Sequence, residues 1–143
     1  MENNLYYTPT IEEFHIGFEY EKYDNRIATY RENNYIPTNW HKFKYDLKSI
    51  RLSQLGTHLY SKTIRVKYLD QSDIESLGWV EQQDEVKYFE LSNHRLYWFN
   101  STIISIDKVF KADNNYVSIS QIFRGSCKNI SELKKLMQQL NIK

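Results

Sequence analysis

One cysteine, two prolines and four glycines in 143 residues are few enough to exclude several kinds of protein. The single Cys127 rules out an intrachain disulfide and any zinc site built on several thiolates. Scarce glycine leaves little backbone for a phosphate cradle, and neither a phosphate-binding glycine loop nor a nucleophile elbow occurs. No apolar run approaches the ~18 residues that span a bilayer, and mean hydropathy is −0.69. Met1–Asn4 has neither a basic nor an apolar leader character, so no signal peptide or anchor is expected. An excess of one charge is also missing: 19 basic residues meet 18 acidic ones, a formal charge of +1. That balance argues against attachment to nucleic acid by bulk charge. The four histidines, at 15, 41, 58 and 94, include no pair at the i, i+4 spacing of a helical zinc motif. The expectation is a protein that is not an enzyme, with no catalytic residue, no metal and no cofactor.

Aromatic residues, by contrast, are abundant, at 15% with twelve tyrosines. Aromatic and β-branched side chains suit pleated, half-buried surfaces, and they also make interfaces and stacking platforms. The length fits one domain over residues 1–143.

From Phe14 to Glu21 the chain alternates, with Phe14, Ile16, Phe18 and Tyr20 on one face and His15, Gly17, Glu19 and Glu21 on the other. This predicts a strand with an apolar and an acidic side. A long polar loop is expected from Tyr23 to Asn39. Phe43, Tyr45 and Leu47 then alternate, and Leu47, Ile50 and Leu55 fit a helix that Gly56 would close. Thr63–Leu69 reads as a strand with Ile64, Val66 and Tyr68 inward and Arg65 and Lys67 outward. Because the apolar faces of this strand and the opening one share a core, Arg65 and Lys67 should lie across from Glu19 or Glu21.

A short helix follows, capped by Asp70 with Leu69 and Ile74 as a hydrophobic staple, or by Ser72 with Glu75, and stopped by Gly78. Strands are expected at 86–91, 95–99 and 102–106, a turn or bulge at Asp107-Lys108, then 109–110, a turn at 113–115, and a last strand from Tyr116 to Phe123. Asn129, with Glu132 three residues on, opens a C-terminal helix whose apolar stripe is Ile130, Leu133, Leu136, Met137 and Leu140. The fold class is therefore α+β: an antiparallel sheet of about five to seven strands, the C-terminal helix packed on one face, and a short helix at 70–77.

Three constellations invite function. His15, Glu19 and Glu21 place potential metal ligands on alternate residues, but nothing supplies the remaining ligands, and a solvated face is the plainer reading. Arg95-Leu96-Tyr97-Trp98-Phe99 would put Arg95, Tyr97 and Phe99 on one face, a base-stacking platform if exposed and a covered central strand otherwise. Lys42, Lys44, Lys48, Arg51, Lys62, Arg65 and Lys67 form a basic segment interleaved with Trp40, Phe43, Tyr45 and Tyr60. The candidate contacts for a partner or nucleic acid are Trp40, Lys42, Lys44, Arg65, Lys67, Arg95 and Tyr97.

The segments Thr8–Glu21, Ile64–Asp70, Asp73–Trp79 and Arg124–Leu133 resemble a family of small uncharacterised proteins of gut Bacteroidota, their phages and prophages. The resemblance spans most of the chain except 23–57. It implies a phage-type accessory protein, in the cytoplasm of a bacterial host or in the virion, without catalytic residues. The function expected is binding of a protein partner from host or phage, or membership of a small assembly, away from membranes. Binding of single-stranded nucleic acid and sequestration of a nucleotide immune signal are the alternatives. The oligomeric state is left open.

Overall fold

The computed structural model describes residues 5–23, 40–46, 48, 51–100, 102–112 and 117–143. The chain is α+β, and the described residues form two antiparallel sheets and three α-helices. It forms two compact units, residues 1–67 and 68–143.

The first unit holds a four-stranded sheet of order β1-β4-β2-β3, from β1 (Tyr6–Tyr7), β2 (Glu19–Tyr23), β3 (Trp40–Lys44) and β4 (Ile64–Lys67), with helix α1 (Leu52–Tyr60). Its core is Phe18, Tyr20, Tyr45, Leu55, Ile64 and Val66, flanked by Tyr7, Phe14 and Leu59. The opening strand starts later than the alternation implied. Residues 11–13 make a 3-10 turn, and Gly17 turns the chain at φ +86°, where an L side chain is strained. Its N–H donates to the Tyr45 carbonyl at 2.8 Å, and Tyr45 N–H returns the bond to Phe18 at 2.8 Å. The turn breaks the period-2 phase, so Ile16, expected inside, is 71% exposed, while Phe14 folds back onto Phe18, Tyr20 and Tyr45.

Gly56 does not close α1 but lies within it, with open space around its Cα. The helix ends instead at Ser61, and Lys62 takes the left-handed conformation. The loop expected at 23–39, beyond Tyr23, lies outside the described residues, as do Leu47, Ile50 and the turn at 113–115.

The second unit holds a five-stranded meander of order β5-β6-β7-β8-β9: β5 (Val80–Gln83), β6 (Lys87–Leu91), β7 (His94–Asn100), β8 (Ile103–Lys111) and β9 (Val117–Ser126). Helices α2 (Gln71–Ser76) and α3 (Ile130–Gln139) pack their apolar residues into one cluster with the sheet: Ile74 and Leu133 against Phe89, Leu96, Ile104 and Ile106. Asp70 caps α2 in a reciprocal box with Asp73, rather than Ser72 with Glu75, and Gly78 stops it at φ +92°. Asn129 caps α3 by accepting from Glu132 N–H at 3.0 Å, while the Glu132 carboxylate accepts from Lys128 N–H, one residue further out than a capping box requires.

Asp107-Lys108 does not turn. β8 runs straight through, and the irregularity lies opposite, where Ile106 pairs with Phe123 but Asp107 with Gln121, leaving Ile122 as the extra residue of a bulge. β5 carried no sequence signal, since Val80-Glu81-Gln82-Gln83 holds one apolar residue and that one is 59% exposed.

Candidate binding surfaces

The outward face of the first sheet gathers five of the seven candidate contacts. β2 pairs with β3 so that Glu19 faces Lys44, Glu21 faces Lys42 and Tyr23 faces Trp40, and it pairs with β4 so that Glu21 also faces Arg65. The expected juxtaposition of Arg65 with Glu21 is thus present. The Arg65 Nε–H donates to Glu21 Oε2 at 2.7 Å. Its guanidinium carbon lies 3.8 Å from the Tyr6 ring centroid and 4.2 Å from that of Trp40. An arginine held by a carboxylate and two rings acts as a structural clamp between β2, β3, β4 and β1. Lys44 makes a looser pair with Glu19 at 3.6 Å. Lys67 sits opposite Tyr6. Acidic β2 therefore lies between basic β3 and β4, and the segment that looked basic in sequence is interleaved with carboxylates in space.

The remaining two candidates lie on the second sheet, on the face away from α2 and α3. Register puts Glu90 beside Arg95 and Asp107 beside Arg95, with Tyr97 beside Ser105 and Ser105 beside Arg124. Arg95 lies 4.8 Å over the Tyr88 ring, whose centroid is 5.8 Å from that of Tyr97. Arg124 lies 5.3 Å over Phe99, which is 55% exposed and is the extra residue of a bulge in β7. The aromatic run thus divides: Leu96 and Trp98 serve the core, while Arg95 and Tyr97 are half-buried on the other side.

The metal-like constellation comes apart. His15 precedes the Gly17 turn and its ring contacts the Ile16 carbonyl, while both glutamates face cations. Among the described residues no group of three or more His, Cys, Asp or Glu is gathered to hold a metal ion. Burial, and next the Glu132 charge, push the Cys127 thiol up to about 12. Among the described residues no helix is long and apolar enough to cross a membrane.

One surface carried no signal in the sequence. β7 begins at His94, the partner of Lys108; the Val109 N–H still donates to Asn93 at 2.8 Å, and among the described residues Phe110 and Lys111 pair only with Ser118 and Val117, as a short two-stranded arm at the end of the sheet. Phe110, Val117 and Ile119 on that arm are each 47% exposed. Val117-Ser118-Ile119-Ser120 alternates just as a half-covered strand does, so the pattern predicts a strand but not that its apolar residues are exposed.

The chain matches no protein-family model, no curated protein and no solved structure.

Proposed function

We propose that this is a small, non-enzymatic accessory protein that acts by binding a protein partner, of the phage type its sequence resembles, in a bacterial cell or a virion. The observation that carries the reading is the β8–β9 arm. A two-stranded ribbon is at best marginally stable alone, yet this one holds Phe110 on one side and Val117 and Ile119 on the other, all half-exposed. Apolar side chains left half-exposed together gain when another protein covers them.

The test is affinity capture from a bacterial lysate with and without nuclease, using the wild type and Phe110→Ser. A stoichiometric protein that survives nuclease and is lost with Phe110→Ser supports the reading. Capture of nucleic acid alone contradicts it.

A second reading rests on the Tyr88–Arg95–Tyr97 cluster with Arg124 beside it, which offers rings and cations to single-stranded nucleic acid. It predicts binding that weakens on Tyr97→Ala and falls with salt. Absence of binding at low salt removes it.

A further inference from the structure

The two sheets have four edges, and three of them are blunted. β1 is two residues long, β3 carries exposed Lys42 and Lys44, and β5 is four residues long with Asp84 and Glu85 following. Short strands and edge charges are the usual defences against pairing with another chain. β9 has neither. It is ten residues long, and Val117–Phe123 contains no charge and no proline. Among the described residues no strand lies along its other side. The bulge at Ile122 bends only its far half, leaving Val117–Gln121 in regular register with Asp107–Lys111.

Register also shows which main-chain groups are available. The Val109 N–H donates to Asn93 on the β7 side. Antiparallel strands alternate the direction of their polar groups, so Lys108 and Phe110 turn theirs toward β9. Their partners there, Ser120 and Ser118, are consequently the bonded ones. Val117, Ile119 and Gln121 must then direct N–H and C=O outward along the open edge.

Resting on the protein-binding reading above, we propose that this edge pairs with the same edge of a second copy of the chain, antiparallel, with the two-fold axis at Ile119. Ile119 then lies beside its counterpart, and Val117 beside Gln121 of the second copy. The paired stretch sets no charge against a like charge, because the nearest charged residue on the strand, Arg124, lies beyond it. A net charge of +1 gives the copies little mutual repulsion. A second copy supplies the same uncharged strand at equal concentration and makes a closed, isologous contact. The half-exposed Val117 and Ile119 side chains of both copies come together on one face of the joined sheet. Phe110, on the opposite face, stays available to another protein. A contact of one short strand is well below a standard interface, so the dimer forms and dissociates with concentration.

Sedimentation velocity from low to high micromolar protein tests this with the wild type, Ile119→Lys and Ile119→Pro. Lysine places a charge on the edge, and proline deletes an N–H that points away from β8; circular dichroism and melting check that each variant is folded. The expected result is a wild-type dimer boundary that grows with concentration and is lost in the folded variants. If Ile119→Pro fails to fold, Ile119→Lys decides. A wild type that stays monomeric throughout, or an Ile119→Lys variant that dimerises like it, overturns the proposal. A monomeric wild type that still captures a protein through Phe110 removes self-pairing and leaves the protein-binding reading standing.

Discussion

Arg65→Ala should destabilise the first unit far more than the loss of an ordinary surface charge. The Arg65 side chain is 28% exposed and that of Glu21 15%, so the pair lies between a surface and a buried bridge. A surface pair is worth ~0–1 kcal/mol. Each cation–π contact is worth ~0.5–1 kcal/mol when exposed and ~2 when desolvated, and Arg65 makes two, at 3.8 and 4.2 Å. The sum is on the order of 2–3 kcal/mol. Urea unfolding followed by circular dichroism gives the total, and amide exchange in β2 and β4 places it in the first unit. Arg65→Lys keeps the charge but loses the planar stack and the directed Nε bond, so it should recover less than half. In a double-mutant cycle with Glu21→Gln, the coupling isolates the ion pair from the rings. If Arg65→Ala changes stability by less than ~0.5 kcal/mol, the clamp is not structural, and Arg65 returns as a candidate ligand contact.

Leu133, with no exposed surface, should cost about 2–5 kcal/mol as Leu133→Ala. Leu136→Ala, at a partly buried position of the same helix, should cost less; equal melting losses would mean that α3 is seated differently. Burial, then the Lys108 charge, lowers the His94 pKa below 6.5, and burial with Lys22 lowers that of His58. Both imidazoles are neutral in folded and unfolded chains above that value, and below it the unfolded chain takes up protons first. Stability should therefore be full above pH 6.5 and fall as pH drops toward the lowered folded values. Thermal melts at pH 7.5 and 5.5 read this, and His94→Gln should flatten part of the fall. Cys127 should resist a thiol reagent at pH 8 until the second unit unfolds, and rapid native labelling would contradict its burial.

Local signals were legible where one residue type has one physical use. Asp70, Gly78 and Asn129 were readable as helix punctuation because capping oxygens and positive φ have few other causes. The meander was readable because its turns are polar and its strands alternate. The start of β2 was not, since Gly17 occupied a polar position in the pattern while acting as a turn. Nor was the division of the strands into two sheets, because alternation shows that a strand has a buried face but not what it packs against. The same limit applied to the candidate contacts. Arg65 opposite Glu21 followed from two alternating strands, but its rings did not, because Tyr6 lies in a two-residue strand and Trp40 is remote in sequence. The exposed arm was invisible for the converse reason: its alternation is that of a half-covered strand, while Phe110, Val117 and Ile119 are half-exposed.

Amide hydrogen exchange at Val117, Ile119 and Gln121, measured from low to high micromolar protein, addresses the β9 edge most directly. These three N–H groups point away from β8, and among the described residues no strand lies beside them, so protection that grows with concentration reports a partner strand. Exchange should run near the unstructured rate at low concentration and slow as concentration rises, while Ser118 and Ser120, bonded to β8, change little. Fast exchange at all three positions across the whole range would contradict pairing of this edge.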